Sequence, residues 1–330
     1  MRMTDYPTMQ AMEIIDRALR PVQLPIPTPG LGEVLVRVQY IGINRADVMQ
    51  VAGSYPPPPD ASPLPGLEVS GTIAALGTGV TGWTLGAEVG ALLNGGGYAE
   101  YVTARAAQLL PRPAHCGMDA LATLPEAAAT SVMALVEHGK LQSGERILLH
   151  GGSSGVGLIM GQFAKYLGAD VFATVGGPKK CAFVAGLGME PIDHQRAPFA
   201  QQVLELSHGV DLIVDILGGP ALADHLKLLR PGGRLVSLAM LQGSVTDSLR
   251  IGGLLMKQLT FSGAMLRAQS AAQKAALIEQ ARTQVWPAIE AGTIKPVIDR
   301  LFPLHEAEKA HARMQQRLHC GKILLEVRAN

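Results

Sequence analysis

The stretch Arg146-Ile-Leu-Leu-His150, followed directly by Gly151-Gly-Ser-Ser-Gly155-Val-Gly157, decides the fold. It has the pattern of a buried strand, a glycine turn and the start of a helix, which is the geometry that holds a pyrophosphate. We expect Gly152 and Gly155 to adopt backbone dihedrals closed to other residues, and Gly157 to let the helix pack closely. The turn therefore predicts a phosphate site made by Gly152, Ser154, Gly155, Val156 and Gly157.

The sequence around the turn supports this interpretation. An apolar pattern of helical spacing follows it, ends at Gly168, and leads into a second predicted strand at 170–175. The glycine spacing, G-x-x-G-x-G, is a permutation of the commoner G-x-G-x-x-G and is weak by itself. The strand, helix and strand together favour a dinucleotide-binding βαβ unit over an ordinary strand-turn-helix connection.

The residues after the second strand indicate which nicotinamide cofactor binds. An NAD site usually places Asp or Glu there for the ribose 2′-hydroxyl, whereas a 2′-phosphate needs that acid absent and a cation nearby. This chain reads Gly176-Gly177-Pro178-Lys179-Lys180, with two ammonium groups and no carboxylate. We therefore predict NADPH, bound with the help of Gly176 and Lys180. The alternative is that both lysines only solvate a helix end.

Length and composition are those expected of a soluble enzyme. The chain has 330 residues, enough for two domains, and a net charge of +1. Such a charge provides no field to attract nucleic acid or an anionic membrane, so neither partner is predicted. Three widely spaced cysteines fit a reducing compartment. Because residues 1–12 are polar and no stretch has a membrane-spanning pattern, we expect a cytoplasmic location.

The chain is predicted to divide at about residue 123. Before this point, short strands at 33–40, 71–76 and 97–102 alternate with Gly/Pro-rich turns, as in a compact antiparallel β domain. After it, strands alternate with helices and predict a parallel sheet covered on both faces. The elements predicted there, besides the βαβ unit, are helices at 121–139 and 220–229, a turn at 231–233, and strands at 210–216, 234–238 and 259–263.

The C-terminal tail is predicted to contain a helix, an extended piece, a second helix and a final strand. Their predicted bounds are 269–289, 297–302, 305–317 and 322–327. From the pattern alone, such a tail either extends the parallel sheet or returns to the first domain.

Eight segments, in order along almost the whole chain, resemble one family of enzymes. They are 44–50, 53–59, 66–71, 95–102, 125–130, the glycine turn, 215–219 and 321–325. They resemble the medium-chain dehydrogenase/reductase superfamily, and within it the zinc-free quinone oxidoreductases related to zeta-crystallin. The stress-inducible NADPH:quinone reductase branch is the most similar.

The resemblance implies an α/β fold of two domains. A GroES-like, β-rich catalytic domain is expected at 1–123 and 268–330, and a Rossmann domain with a doubly wound parallel sheet at 124–267. The family also implies a homodimer, with each active site in the cleft between the two domains.

The resemblance bears on zinc as well. Relatives with catalytic zinc supply Cys, His and an acid from equivalent segments, and tetrahedral zinc needs such ligands. This chain has Asn44 in place of the cysteine and Leu67 in place of the histidine. The nine histidines are dispersed, and His115 beside Cys116 is interpreted as an accidental pair in a loop. We therefore predict no metal site.

Hydride transfer without a metal needs an acceptor that is itself electrophilic, such as a quinone or a conjugated enone. The protein then positions the reactants, excludes water and offers donors to the developing oxyanion. By resemblance, Asn44 and Tyr55 line the active site. Asn44 is expected to bind cofactor or acceptor, and Tyr55 to stack on a quinone or donate to its oxygen. The alternatives are a turn residue at Asn44 and a packing ring at Tyr55.

Further cofactor contacts are implied by the resemblance alone. Many relatives have Ser at the position of Gly177 and Tyr at that of His194, so we expect more of the phosphate binding to fall to Lys180. His194 is expected to donate to a phosphate, the alternative being a surface histidine without a role. The remaining implied contacts are Thr130 at the nicotinamide ribose, Leu238, Met240 and Leu266 along the cofactor, and Gly321 with Lys322 near the cleft.

Three functions stay open from the sequence. The first is an NADPH:quinone reductase. The second is an enoyl or enone reductase acting on a C=C bond, which needs a proton donor, and Tyr55 is the candidate. The third is a non-catalytic role as a crystallin-like or binding protein, which the intact glycine turn and the neutral charge balance disfavour. Consumption of cofactor separates the enzymes from the third.

Overall fold

A computed structural model of the protein describes residues 7–59, 61–246, 249 and 251–327. The chain divides into two compact units. The first unit comprises Met1–Glu126, Ser270–Trp286 and Pro296–Asn330, and the second comprises Ala127–Gln269 and Pro287–Lys295. Each unit has a hydrophobic core of its own. The functional domain bounds given above stay a prediction.

The strands alternate with turns in the first unit and with helices in the second. In chain order they are β1 Thr8–Ile15, β2 Ala18–Pro25, β3 Glu33–Gly42, β4 Glu68–Leu76, β5 Glu88–Leu92, β6 Tyr101–Arg105, β7 Leu109–Pro111, β8 Arg146–His150, β9 Asp170–Val175, β10 Glu190–Asp193, β11 Val210–Asp215, β12 Leu229–Ser237, β13 Thr260–Gly263, β14 Ile298–Pro303 and β15 Lys322–Glu326.

The longest helix of the first unit is α9, and most of the other helices belong to the second unit. In chain order they are α1 Arg45–Val51, α2 Met118–Leu121, α3 Pro125–Ser131, α4 Gly155–Tyr166, α5 Pro178–Gly186, α6 Phe199–Ser207, α7 Leu222–Leu228, α8 Gly252–Lys257, α9 Ala271–Gln284, α10 Trp286–Glu290 and α11 Ala307–Gln315.

The main sheet of the first unit has the order β14-β15-β3-β4-β5-β7, and β6 also pairs with β3. Its central strand, β3, places Val34, Val36 and Val38 in the core at the period of two that a strand face requires. The strands β4, β6 and β15 all pair antiparallel with β3. The last strand of the chain therefore lies beside one of the first.

The sheet of the second unit has the order β10-β9-β8-β11-β12-β13, and all neighbouring strands are parallel. Its central strand, β8, carries the apolar run Ile147 to Leu149, which is buried as parallel strands require. The chain winds outward from β8 to β10 and then returns to add β11 on the other side. This is a doubly wound sheet, so the predicted α/β class with a second, β-rich domain is confirmed.

Two of the predicted elements around the first unit are wrong in detail. The strand predicted at 97–102 begins only at Tyr101 and continues to Arg105, because the glycines before it take turn conformations, with φ 91° at Gly96. The helix predicted at 121–139 is interrupted between α2 and α3. Pro125 starts a new helix there, since its ring cannot continue a preceding one. From Val132 to His138 the chain is π-helical.

Elsewhere in the chain, two predicted helices and one predicted turn differ from the structure. The turn predicted at 231–233 lies inside β12, as an irregularity in its pairing with β11 between Leu229 and Arg234. The helix predicted at 220–229 starts as a 3₁₀ turn, Gly219–Ala221, before α7. The helix predicted at 269–289 consists of α9 and α10. The hairpin of β1 and β2 was not predicted.

The described helices include none that combines the length and the apolar character needed to cross a bilayer.

Candidate dinucleotide site and buried polar cluster

The glycine turn joins β8 to α4 at the carboxyl end of β8. Left-handed backbone occurs at Gly151, with φ 72°, and not at Gly152 or Gly155 as the spacing had suggested. Gly152 is required for a different reason, because a Cβ there would overlap the side chain of Ala173 in β9. Gly155 is the first residue of α4. The turn is therefore tight at its first glycine and close to the sheet at its second.

The start of α4 is built to leave backbone donors open. Ser154 caps the helix, and its Oγ accepts the N–H of Gly157 at 3.0 Å. A Cβ on Gly157 would overlap the carbonyl oxygen of Gly151, so only glycine lets the helix begin this close to the turn. The N–H groups of Gly155 and Val156 lie in the first helical turn, where no carbonyl of the helix can accept them. At the positive end of the helix dipole, they are suited to bind phosphate.

Thr174 in β9 holds the first two residues of the turn. Its carbonyl oxygen accepts the N–H of Gly152 at 3.0 Å, and its Oγ1 accepts the N–H of Gly151 at 3.2 Å. Both N–H groups are thereby directed at the sheet. The N–H of Gly152 is therefore not available to a phosphate. Gly152 instead contributes to the predicted site by letting the turn pack against Ala173 of β9.

The turn lies where the strand order of the second unit reverses, between β8 and β11. Open parallel sheets bind ligands in the crevice at this point. On the β11 side, Asp215 accepts the N–H groups of Leu217 at 2.6 Å and Gly218 at 3.2 Å, which shapes the next loop. Burial raises the pKa of Asp215. Two loops of the predicted cofactor site thus begin at neighbouring strand ends.

The predicted contacts that follow β12 border the same crevice. The N–H of Leu238 donates to the carbonyl oxygen of Asp215 at 2.8 Å. A Cβ on Gly218 would lie 2.9 Å from the Cα of Met240, so these two loops touch. The side chain of Met240 is 59% exposed, which leaves it open to a ligand. Leu266, beyond β13, is buried.

At the other side of the turn, Gly176, His194 and Lys180 come from different elements. A Cβ on Gly176 would lie 3.2 Å from the Nε2 of His194, an exposed residue just after β10. Lys180 is half-buried in the first turn of α5. The expectation that no carboxylate stands here is wrong, because Asp193 at the end of β10 accepts the N–H of Gly177 at 3.0 Å.

The carboxylate of Asp193 is held by the backbone. It accepts the N–H of Gln195 as well, also at 3.0 Å. The hydrogen bond from Gly177 is the main cause that lowers the pKa of Asp193. Sequence reasoning missed this residue because it considered only the chain directly after β9.

In the first unit, the structure brings Asn44 and Lys322 together. Asn44 precedes α1 and is 7% exposed, and its Nδ2 donates to Oε1 of Glu68 at 2.9 Å. The Nζ of Lys322 donates to Oδ1 of Asn44 at 2.7 Å and forms an ion pair with Glu68. Both charged side chains are essentially inaccessible to solvent. The amide of Asn44 thus bridges a buried cation and a buried anion.

Two more acids complete the buried polar cluster, which consists of Asn44, Asp47, Glu68, Glu126 and Lys322, with Glu126 as its half-buried member. Asp47 accepts the N–H groups of Asn44 at 2.8 Å and Gly66 at 2.9 Å, and burial raises its pKa to about 6. The N–H of Glu126 donates to Oε2 of Glu68 at 2.9 Å. Burial and the charge of Glu68 raise the pKa of Glu126 to about 8. At neutral pH the carboxyl group of Glu126 is therefore mostly protonated.

The structure places Tyr55 in a loop of the first unit and Thr130 in a helix of the second. Tyr55 is half-buried in the loop after α1, next to the prolines that follow it. Thr130 is buried near the end of α3, directly before the π-helical segment. Their predicted roles at the acceptor and the nicotinamide ribose stay predictions.

Two family models match the chain, one in each half. The model of the alcohol dehydrogenase GroES-like domain matches residues 30–114, and that of the zinc-binding dehydrogenases matches residues 187–325. With the β-rich first unit and the Rossmann sheet of the second, they place the chain in a class of proteins that join a GroES-like domain to a Rossmann domain. The chain belongs to the medium-chain dehydrogenase/reductase superfamily.

Similar curated proteins are longer than this chain. The synaptic vesicle membrane protein VAT-1 homolog of Danio rerio is 30% identical over 89% of the chain, which spans 64% of that protein. The mycocerosic acid synthase-like polyketide synthase of Mycobacterium tuberculosis is 30% identical over 91% of the chain, which spans 14% of it.

Similar solved structures match nearly end to end. An alcohol dehydrogenase superfamily protein from Novosphingobium aromaticivorans has a TM-score of 0.85 at 29% identity, covering 98% of this chain and 100% of that one. A mycobacterial quinone oxidoreductase has a TM-score of 0.83 at 26% identity, covering 97% and 100%. The CurK enoyl reductase has a TM-score of 0.84 at 26% identity, covering 98% and 100%.

The buried polar cluster does not fit the catalytic zinc that the name of one family model implies. Asn44 offers an amide whose oxygen already accepts from Lys322, and Leu67 is a buried alkyl side chain. A tetrahedral zinc site needs thiolate, imidazole or carboxylate ligands that are free to bind the ion. The carboxylate of Asp47 already accepts two backbone N–H groups, and the ammonium of Lys322 lies against Glu68, which opposes a second cation there.

In the described part of the chain, one group of potential metal ligands comes together elsewhere, in the second unit. His150, Asp215 and His225 each place one ligand atom within 4.8 Å of the others. The two Nε2 atoms are 2.9 Å apart, so a proton lies between them in a hydrogen bond. Asp215 is already occupied by two backbone N–H groups. The arrangement is that of a hydrogen-bonded histidine pair beside a capped carboxylate.

Sequence reasoning missed the acids of the polar cluster and the histidine pair. A usable signal existed for some of them. His150 and Asp215 are polar residues at the carboxyl ends of apolar parallel strands, which is where such sheets place their sites. Glu68 is a charged residue at the start of an otherwise apolar buried strand. His225, inside α7, carried no such signal.

Proposed function

We propose that the protein is a metal-independent NADPH:quinone reductase, which transfers hydride from NADPH to a quinone or a similar conjugated carbonyl compound. One observation carries the proposal: the positions of the zinc ligands hold Asn44 and Leu67, while the glycine turn of the second unit is intact. The turn fits a dinucleotide, because the N–H groups of Gly155 and Val156 lie open at the start of α4, and Gly152 and Gly157 let turn, helix and β9 pack closely around it. When bound, NADPH supplies the hydride.

The proposed acceptor is a quinone because Asn44 and Leu67, at the positions of two zinc ligands in related enzymes, cannot bind a metal. A simple carbonyl needs a Lewis acid or a positioned general acid to stabilise the oxyanion that hydride addition forms. A quinone delocalises that charge and becomes aromatic, so donors in the protein suffice. In this proposal Tyr55 stacks on the acceptor, and the amide of Asn44, oriented by Glu68 and Lys322, lies near it. The similar mycobacterial quinone oxidoreductase supports this acceptor class.

NADPH is proposed instead of NADH because the start of α5 carries positive charge that favours a 2′-phosphate. Lys180 and Lys179 bring two ammonium groups to the helix that begins beside Gly177. The carboxylate of Asp193 opposes a 2′-phosphate, but two backbone N–H groups already neutralise part of its charge. The side chain of His194 beside Gly176 adds a further donor. The three proposed phosphate contacts are therefore Lys180, His194 and the backbone at Gly176.

The variant Lys180→Ala tests this choice of cofactor. NADPH binding should weaken by about 1–3 kcal/mol, the range for losing a charge-assisted hydrogen bond, while NADH binding stays nearly unchanged. Lys179→Ala is the matched control, because Lys179 is the exposed neighbour. Fluorescence titration with both cofactors gives the two dissociation constants. Equal losses for NADPH and NADH would assign Lys180 to another role.

Steady-state kinetics with purified protein test the reaction. We expect NADPH oxidation with a panel of quinones, and a Tyr55→Phe variant that keeps most of this activity, since reduced quinones take protons from water. Tyr55→Ala should raise KM because the ring contact is lost. No NADPH oxidation with any quinone would refute the proposed reaction. A loss of kcat on the order of 10² for Tyr55→Phe with a quinone would contradict the stacking role of Tyr55.

A second candidate function is an NADPH-dependent enoyl or enone reductase. Its support is the similarity to the CurK enoyl reductase and to a much longer polyketide synthase, together with the neutral acid Glu126. Reduction of a C=C bond needs a proton at the carbon remote from hydride attack, and Tyr55 and Glu126 are the candidate donors. An enone or 2-enoyl thioester turned over in preference to quinones would select this reaction.

The exposed edge of the second unit supports the proposed homodimer. Among the residues that the structure describes, β13 is the last strand of its sheet and has a neighbouring strand on one side only. Phe261 is 52% exposed on this strand, and Leu255 and Met256 of the preceding helix α8 are about four-fifths exposed. Phe261→Glu should convert a dimer to monomer in light scattering, and a wild-type monomer would refute the proposed assembly.

A non-catalytic role is the third candidate. It rests on the similarity to the VAT-1 homolog, whose name describes a synaptic vesicle membrane protein. A protein that binds NADPH and consumes none with quinones or enones would fit this candidate and not the two enzymatic ones.

A further inference from the structure

A chain of polar side chains runs beneath the glycine turn, across the point where the strand order reverses. In the second unit, Nδ1 of His150 lies 3.1 Å from Oγ1 of Thr174, and its Nε2 lies 2.9 Å from Nε2 of His225. Oγ1 of Thr174 in turn accepts the N–H of Gly151 at 3.2 Å. All three side chains are buried. The chain ends at the first N–H of the phosphate-binding turn.

The secondary structure fixes these side chains in place. His150 and Thr174 are direct neighbours in the parallel pairing of β8 with β9. His225 lies in α7 and is fully buried, and the ring of Phe199 packs edge-on against His150 with a centroid distance of 4.9 Å. The carboxylate of Asp215 lies 3.9 Å from Nε2 of His225. The chain therefore draws on the ends of β8, β9 and β11 and on α7.

One proton lies between each pair of hydrogen-bonded atoms in this chain. When both rings are neutral, only one of the two facing Nε2 atoms therefore carries a proton. In the structure Nδ1 of His225 is buried and has no hydrogen-bond partner. His225 is therefore hydrogen-bonded through its Nε2 alone, and it acts on the turn through His150.

We propose that His225 and His150 are positioning residues of the dinucleotide site, which act through a hydrogen-bond chain on Thr174. Nε2 of His225 is hydrogen-bonded to Nε2 of His150, and Nδ1 of His150 to Oγ1 of Thr174. This chain fixes the oxygen that receives the N–H of Gly151. The inference rests on the proposed function, since it assigns the turn to binding of a nicotinamide dinucleotide.

The chemistry of the site matches this role. Oγ1 of Thr174 accepts the N–H of Gly151 and makes a second hydrogen bond with Nδ1 of His150. With both bonds made, the hydroxyl group has one orientation, and the left-handed residue Gly151 is held against β9. Burial lowers the pKa of both histidines, to about 4 for His225, so both rings are neutral at neutral pH. The turn is thereby preorganised for the phosphates.

The matched variants Thr174→Val and Thr174→Ser test the chain. Val has nearly the shape of Thr and suits a strand, but it lacks the oxygen, whereas Ser keeps it. We expect Thr174→Val to raise the dissociation constants of NADPH and NADH alike, by about tenfold, as for one lost hydrogen bond. KM for the cofactor should rise with them while kcat changes little. Thr174→Ser should bind within about twofold of wild type.

The result separates this inference from the proposed function. If the wild-type protein binds neither NADPH nor NADH, the proposed function is refuted. If it binds NADPH and Thr174→Val binds equally tightly, only the positioning role is refuted. Thermal melting shows whether each variant is folded, and a folded Thr174→Val with weak binding that Thr174→Ser restores supports the role.

Imidazole ¹⁵N chemical shifts of the wild-type protein test the bond between the two rings independently. Because only one of the two facing Nε2 atoms can carry a proton, we expect one ring as the less common Nδ1–H tautomer and the other as the Nε2–H tautomer, both neutral at pH near 7. Both rings found as the Nε2–H tautomer would overturn the chain. So would one equivalent of added Zn²⁺ that binds to both rings, because a metal would replace the proton between them.

Discussion

Lys322 carries a positive charge in the protein interior, and the residues around it determine its effect. Its ammonium group is 3% exposed and contacts Glu68 and the amide oxygen of Asn44. A buried ion pair of this kind gains little net stability, but removal of one partner leaves the other charge buried and uncompensated. We therefore expect the free energy of unfolding to fall strongly when Lys322 or Glu68 alone is made neutral, and much less when both are.

Substitution of Lys322 tests this property. Lys322→Met keeps the alkyl stem and should lower the free energy of unfolding by about 3–5 kcal/mol, because Glu68 loses its counter-charge. The double variant Lys322→Met with Glu68→Gln should recover most of the loss. Chemical denaturation of the wild type, of Lys322→Met, of Glu68→Gln and of the double variant gives the four values of this cycle. An additive double variant would show that the two side chains are not coupled.

Glu126 predicts a dependence of stability on pH. The pKa of its carboxyl group is raised from 4.5 to about 8, so the protonated form favours folding. Its contribution to stability is therefore complete below about pH 4.5 and is lost as the pH rises through about 8. The raised pKa of Asp47 acts in the same direction at lower pH.

Melting temperatures from pH 5 to 9 test this linkage, with these limits chosen to bracket roughly the range of the shift. Glu126→Gln should melt close to wild type at the acid end and increasingly above it as the pH rises, because Gln cannot ionise. Glu205→Gln, at an exposed position of α6, is the control and should show no such trend. A constant difference between wild type and Glu126→Gln at all pH values would contradict the raised pKa.

At the scale of elements, the βαβ unit could be predicted from the sequence because its signals are local. An apolar strand, a glycine turn and a helical pattern follow one another within some thirty residues, as such units do. The identity of the left-handed glycine could not be predicted, since spacing alone does not show whether Gly151 or Gly152 makes the tight turn. The break between α2 and α3 was missed although Pro125 marks it.

The junction of the turn with α4 leads to a prediction about this element. Gly157→Ala adds a Cβ that would overlap the carbonyl oxygen of Gly151, so helix and turn must move apart. We expect a loss of NADPH affinity of roughly tenfold or more, together with a lower melting temperature. Gly186→Ala at the end of α5 meets no atom within 4 Å and serves as the control.

The two substitutions should differ clearly in both measurements. Gly186→Ala should leave affinity unchanged and stability unchanged or slightly raised, since Ala favours a helix over Gly. Wild-type affinity in Gly157→Ala would show that the close junction is not needed for cofactor binding.

At the scale of the whole molecule, the sequence predicts the class of the fold better than the chemistry of its site. The two domains follow from the change of pattern near residue 123, and the motifs identify the superfamily. The buried polar cluster could not be predicted, because Asn44 and Lys322 are 278 residues apart and meet only through the pairing of β15 with β3. Likewise, only the fold brings Asp193 beside Gly177.

We propose that this protein transfers hydride without a metal, although the family model that matches its second half is named for zinc-binding dehydrogenases. The most direct measurement combines elemental analysis with NADPH oxidation by a quinone, in the presence and absence of a strong chelator, on one preparation. We predict far less than one zinc per chain, because Asn44, Leu67 and Lys322 cannot hold the ion. We also predict the same rate of NADPH oxidation with and without the chelator. About one zinc per chain, with activity lost on chelation and restored by added zinc, would contradict it.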